Sequence, residues 1–153
     1  MTASFTPQDP DFAARVADSF GRQAAMATLG IRLVRVAPGL VELEMPYRAD
    51  LTQQHGFIHA GVVTAALDSA CGYAAFSLMD PAAAVLTVEF KVNLLAPAKG
   101  ARFRFRAEVM KPGRTLTVAE AKAYAVGEDG GETLVASMTG TLMALYERKG
   151  VSQ

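Results

Sequence analysis

At 153 residues, with 15 Lys+Arg against 15 Asp+Glu, the chain carries no formal net charge, which argues against a dedicated nucleic-acid binder with its usual basic excess. The length suits one domain with its own core, and a hydrophobic fraction of 51% predicts apolar surface buried between copies of the chain. Cys71 is the only cysteine, so there is no internal disulfide, and without a recognisable signal peptide the expected compartment is the cytoplasm.

Residues 1–10 hold two prolines and several polar residues and read as a loose tail. Phe12, Val16, Phe20, Ala24 and Ala27 then recur at helical spacing, which predicts one amphipathic helix over 11–29, ending near Gly30. Residues 31–37 read as a strand, Pro38-Gly39 as a turn, and 40–46 as a second strand, where Val41, Leu43 and Met45 alternate with Glu42 and Glu44. A polar, histidine-containing loop, 47–58, leads into the stretch around which the chain is organised.

From Ala60 to Met79 the only charge is Asp68. The run approaches membrane-spanning length, but an acid near its middle, the lack of flanking basic clusters and the half-polar strands elsewhere argue against a span. A central helix enclosed by protein, stopping at Asp80-Pro81, is the better reading. An isolated carboxylate there is expensive unless it is paired or used. Gly61 and Gly72 weaken a helix and point to close approach or a helix end. Cys71 in this setting reads as a buried, inert thiol.

Four strands are predicted after the helix, over 84–95, 101–110, 114–126 and 133–146. In the second, Phe103, Phe105, Ala107 and Val109 face inward, and Arg102, Arg104, Arg106 and Glu108 outward. Lys111-Pro112-Gly113 is a turn, and 127–131 a hairpin loop. Helix, two strands, apolar helix, four strands is an α+β order with an antiparallel sheet, most simply curled around the central helix.

His59-Ala60-Gly61 followed by Asp68, with Pro97-Ala98-Lys99-Gly100 after the next strand, resembles the hotdog-fold acyl-CoA thioesterases of the PaaI type. The resemblance spans about residues 28–146, and the chain reads as a single domain over 1–153 with its hotdog core at 31–146. It implies an acyl-CoA substrate, medium-chain or aryl-acetyl, with coenzyme A as part of the substrate and no separate cofactor. The family's motif is His-Gly-Gly, so Ala60 is a departure. The backbone N–H that is thought to bond the thioester oxygen survives Gly→Ala, and the role passes to Ala60, followed by Gly61. A helix N-terminus independently offers free N–H groups and a positive dipole end to an oxyanion.

Asp68 matches the family's carboxylate, which acts as general base or as nucleophile. It lies eight residues beyond Ala60, about 12 Å along a helix, too far for both to act on one carbonyl from the same chain. The expected assembly is therefore a two-fold dimer with composite sites, or a dimer of such dimers. Gln53 matches a position that orients the carbonyl or water, with Gln54 and His55 beside it; Thr87 matches one that assists the acid. His59 reads as a brace for the loop rather than a proton carrier. For the substrate, Lys99 and Arg114 belong to a basic run over 99–114 suited to phosphates, and Phe57, Leu67, Tyr73, Phe76 and Met79 are candidates for the acyl pocket. No metal-ligand cluster, nucleic-acid partner or membrane partner is expected. Two other readings are a hydratase, which needs an Asp–His pair that Asp80-Pro81 does not supply, and a non-catalytic acyl-CoA sensor, for which the first 27 residues are too short to hold a helix-turn-helix.

Overall fold

A computed structural model describes residues 4–153; the first three residues of the tail lie outside the described residues. The elements are α1 (Phe12–Gly21), α2 (Ala24–Leu29), β1 (Arg32–Ala37), β2 (Leu40–Pro46), α3 (Ala60–Phe76), β3 (Ala84–Leu94), β4 (Arg102–Lys111), β5 (Leu116–Val126) and β6 (Glu132–Leu145). All six strands join one antiparallel sheet in the order β1-β2-β4-β5-β6-β3. The sheet curls around α3 in the hotdog arrangement.

Side-chain size explains how closely sheet and helix meet. The inward residues of β5 are Ala119, Ala121, Ala123 and Ala125, all buried, and α3 answers with buried Ala66, Ala70 and Ala74. Larger groups fill the flanks: Val41, Leu43 and Met45 on β2, and Phe103 and Phe105 on β4, are fully enclosed. The period-2 alternation on β4 is therefore seen as expected. No helix among the described residues is long and apolar enough to cross a membrane.

Three expectations change. The single helix over 11–29 is two, because Arg22 ends α1 and Gln23 turns extended (φ −80, ψ 92) to begin α2. Gly30, at φ 70, closes α2 in the left-handed conformation that glycine adopts without strain. The tail is docked rather than loose from Phe5 onward: Phe5 packs beside Gly39 and against the core, and the Gln8 N–H donates to the Leu78 carbonyl at 3.4 Å. The central helix ends at Phe76, before Asp80-Pro81.

That helix end is held from a distance. Arg15 on α1 donates to the carbonyls of Asp80 (2.7 Å), Met79 (2.9 Å) and Phe76 (3.1 Å). Its guanidinium lies 4.2 Å from the centre of the Phe76 ring. Nε sits 3.3 Å from Asp9 Oδ2, near enough to pair yet off the line of a hydrogen bond. A cation thus satisfies the orphan carbonyls at the negative end of α3. Hydrogen bonds involving a charged group contribute about 1.5–3 kcal/mol each in favourable cases. Arg15→Met, which keeps much of the stem, is expected to lower stability by about 2 kcal/mol, read as a lower urea midpoint at unchanged slope.

Candidate active site

The start of α3 is built by His59. Its Nδ1 accepts the Gly61 N–H at 2.9 Å, and its carbonyl accepts from Val62 (2.9 Å) and Val63 (3.2 Å). Three of the first four amides of the helix are thereby used. The fourth, Ala60 N–H, has no acceptor among the described residues. A Cβ at Gly61 would stand 3.0 Å from His59 Nδ1, so glycine there makes room for the cap. His59 is thus the side-chain cap of α3.

Ala60 opens onto an apolar cleft of about 500 Å³, lined by Gln53, Phe57, Ile58, Val63 and residues 94–98. Gln53 Oε1 accepts the His55 N–H, and the loop is closed by Gln53 N–H to the Phe57 carbonyl (2.9 Å) and Gly56 N–H to the Gln53 carbonyl (3.0 Å). The Gln53 amide is therefore steadied by its own turn. Phe57 also borders a larger hollow of about 940 Å³ with Tyr47, His55, Lys99, Gly127 and Glu128. Gln54 is exposed beside them.

Asp68 lies elsewhere. It lines a separate cleft of about 220 Å³ with Gln23, Ser69, Gly72, Tyr73, Thr87 and Gln153. Thr87 Oγ1 donates to Asp68 Oδ1 at 2.8 Å, and a bulge at Val88 interrupts β3 pairing just beyond Thr87, as bulges beside sites often do. Burial holds the Asp68 carboxyl above the usual carboxylate range, opposed by the Thr87 bond. No cation pairs with it among the described residues. The neighbouring Cys71 thiol is buried and pushed up to about 12, by desolvation first and then by Asp68 and Glu120, which leaves it unreactive.

Within one chain, then, Ala60, Gln53, His59, Gly61, Phe57, His55 and Lys99 gather at one end of α3, while Asp68, Thr87 and Tyr73 gather around its middle. Arg114 is exposed on the β4–β5 turn, at the far end of β4 from Lys99, and the ends of a ten-residue strand lie about 30 Å apart. The basic run is also weaker than its sequence: Arg104 pairs with Glu132, and Arg106 with Glu42 and Glu108. Lys99, Arg102, Lys111 and Arg114 have no ion partner among the described residues. Of the apolar candidates, Leu67, Phe76 and Met79 are in the core and line neither the Asp68 cleft nor the Ala60 cleft. Tyr73 borders the Asp68 cleft with its hydroxyl 3.0 Å from Ser19 Oγ.

Gln23, Ser69 and Gln153 were not singled out by sequence. Gln23 and Gln153 are far from Asp68 along the chain, and no local spacing marks them. Gly72 did carry a signal, as a mid-helix glycine.

α3 is not enclosed all round: Gly61, Ala65, Asp68 and Gly72 form one stripe that is exposed at Gly61 and half-buried at the other three. Beside it runs β3, an edge strand with Leu86 (50% exposed), Val88 (52%), Phe90 (42%) and Leu94 (58%). A long apolar strand edge of this kind is normally covered.

Residues 55–132 match the family model of the thioesterase superfamily. A protein of Saccharolobus solfataricus, named as a candidate esterase, is 32% identical over 125 residues, covering 82% of this chain and 80% of the relative. A Halobacterium salinarum protein of similar name is 33% identical over 118 residues, 73% of this chain and 78% of its own. Among solved structures, a thioesterase family protein from Silicibacter pomeroyi superposes with a TM-score of 0.86 at 67% identity, over 88% of this chain and 98% of that one. The E. coli PaaI protein from the phenylacetic acid degradation operon superposes at 0.76 with 20% identity, over 88% and 94%, a likeness of fold.

The cap predicts its own rescue. His59→Ala is expected to cost about 1 kcal/mol, the usual value of an N-cap, with a matching fall in melting temperature. His59→Asn, which can still accept the Gly61 N–H, should restore it; a variant that needed an imidazole would not be restored.

Proposed function

The chain belongs to the thioesterase superfamily and is a thioester hydrolase; on that premise we propose that it cleaves acyl-CoA at sites shared between two copies of the chain. Ala60 N–H of one copy receives the thioester oxygen, and Asp68 of the other activates the water. The single observation that carries this reading is that Ala60 N–H is the one first-turn amide of α3 left without an acceptor among the described residues.

The division between copies rests on distance. The two groups open into different clefts of one chain and stand about 12 Å apart along a straight helix. Pairing the two β3 edges antiparallel about a two-fold axis would cover Leu86, Val88, Phe90 and Leu94. It would also carry the Thr87 end of one strand toward the Leu94 end of the other. Thr87 holds Asp68, and Leu94 borders the Ala60 cleft, so the same contact unites acid and amide. Dimerisation of this chain, and any pairing of dimers, is part of the proposal.

The chemistry follows from the two groups. Asp68, with Oδ1 fixed by Thr87, takes a proton from water as the oxygen attacks the thioester carbon. Negative charge develops on the former carbonyl oxygen and is received by Ala60 N–H at the positive end of α3. Collapse breaks the carbon–sulfur bond, and the proton held by Asp68 returns to the coenzyme A thiolate. A carboxyl held above its usual range is a stronger base at neutral pH than an ordinary one. Gln53 borders the Ala60 cleft, where its amide can orient the carbonyl. The pantetheine arm would lie in the apolar cleft past Phe57, with the nucleotide in the hollow beside His55 and Lys99. Arg114 would reach such a nucleotide only from another copy.

Proline isolates the amide. It lacks an N–H but is accepted at the first position of a helix, and His59 already has the extended geometry (φ −59, ψ 137) that must precede it. Ala60→Pro is expected to keep the fold and lose about 100- to 1000-fold in kcat, followed by thiol release from acyl-CoA.

Asp68→Asn is expected to lose at least about 100-fold while raising the melting temperature at neutral pH. The sign is fixed by linkage: a carboxyl held above its usual range binds protons better when folded. Its ionisation therefore erodes stability as pH rises from the ordinary carboxylate value through the raised one. Activity should fall as pH drops through that raised value. Co-refolding the two variants should restore about a quarter of wild-type activity, because half the dimers are mixed and each mixed dimer has one intact site. No recovery would place both groups in one chain.

A further inference from the structure

We propose that the cleft beside Asp68 selects the acyl group, and that it favours a short acyl chain ending in a hydroxyl or similar hydrogen-bonding group. The inference rests on the composite thioesterase site proposed above and names its substrate class.

The first observation is Gly72. It lies four residues after Asp68 on the half-buried stripe of α3, where glycine weakens the helix. A Cβ there would meet nothing within 4 Å. No neighbour in the chain requires a glycine, so the space it leaves belongs to the cleft. The stripe places that space one helical turn beyond the carboxylate, where an acyl chain would extend from a carbonyl attacked beside Asp68.

The second observation is the chemistry of the walls. At about 220 Å³ the cleft is smaller than the roughly 300–1,000 Å³ of an ordinary ligand pocket. Gln23 and Ser69 lie on it, Ser69 Oγ donating to Gln23 Oε1 at 3.3 Å. The Gln23 amide nitrogen has no acceptor among the described residues. A saturated alkyl end would leave such groups without partners, whereas a hydroxyl would pair with them.

The third observation is that a polar group of the chain already occupies part of the space. The Gln153 amide lies there, its oxygen accepting from Val85 N–H at 3.1 Å and its nitrogen donating to Ser19 Oγ at 2.8 Å. A substrate that displaced Gln153 would find these partners free to pair with it. A site that hydrogen-bonds a substrate hydroxyl discriminates strongly against the analogue without it, whereas an apolar pocket distinguishes the two weakly.

Hexanoyl-CoA and 6-hydroxyhexanoyl-CoA, with acetyl-CoA as the short reference, test this. The wild-type protein should prefer the hydroxylated ester by about tenfold or more in kcat/KM. Gln23→Leu together with Ser69→Ala should bring that ratio toward one. Gly72→Ala should raise the melting temperature, keep the oligomeric state, and lower turnover of both six-carbon esters relative to acetyl-CoA. A wild-type ratio at or below one overturns the proposal. So does a Gly72→Ala protein that is less stable or dissociated, since Gly72 would then serve packing between copies. Calorimetric affinities of the same esters for Asp68→Asn protein separate the two readings. A hydroxyl preference in binding upholds the pocket even if Asp68→Asn turns over normally and the base assignment fails. Equal affinities overturn the pocket while leaving hydrolysis by Asp68 intact.

Discussion

The rise of an α-helix is 1.5 Å per residue, and the buried face of α3, packed against the sheet, holds the helix to it. Its free amide stands at one end, and its only charge stands eight residues on. Everything proposed for this site follows from that fixed separation. A flexible loop could bring donor and acid together within one chain; a helix packed against five strands cannot. The sheet order leaves β3 as an edge, and β3 is the strand that carries Thr87. The element that needs covering and the element that positions the acid are the same, so on the proposed arrangement one contact would serve both pairing and catalysis.

The close approach that enforces this rigidity comes from small side chains. Alanines on β5 face alanines on α3, and the sheet can wrap the helix with few voids. The arrangement places Asp68 where desolvation raises its carboxyl. A nearby arginine would have relieved that stress, at the expense of basicity. Thr87 supplies a neutral donor instead, which fixes one oxygen without removing the charge. A carboxyl raised by burial and held by a neutral hydroxyl suits the proposed role of base, in which stability would be given up for reactivity.

The strands, the curled sheet and the acid were legible because each has a local signature. Phe103, Phe105, Ala107 and Val109 alternate, and Asp68 stands alone among apolar neighbours. His59 was legible as a brace because it precedes the helix. Residues held by partners far along the chain were not. Arg15 reads as one more cation on an amphipathic helix, and only the folded chain brings it to the end of α3, more than sixty residues away. The docking of Phe5 and the turn at Gln23 are of the same kind. The break at Gln23 runs against helical periodicity, and the partner its side chain meets there, Ser69 on α3, is 46 residues away. The basic run misled in the opposite sense: six cations in sequence lose two to Glu42, Glu108 and Glu132 once the strands pair.

The uncovered faces bear on how such an enzyme would be regulated by its own concentration. On the proposed arrangement a lone chain holds an amide without an acid at one cleft and an acid without an amide at another. Neither half polarises and attacks the same thioester. Turnover would then follow the population of paired chains, and any ligand bound across the contact would strengthen the pairing by mass action. The apolar residues of β3 would supply the standing affinity, and their exposure in one chain is an aggregation risk that such pairing would remove. A mutation on β3 far from either cleft can thus reduce activity without touching a reacting atom.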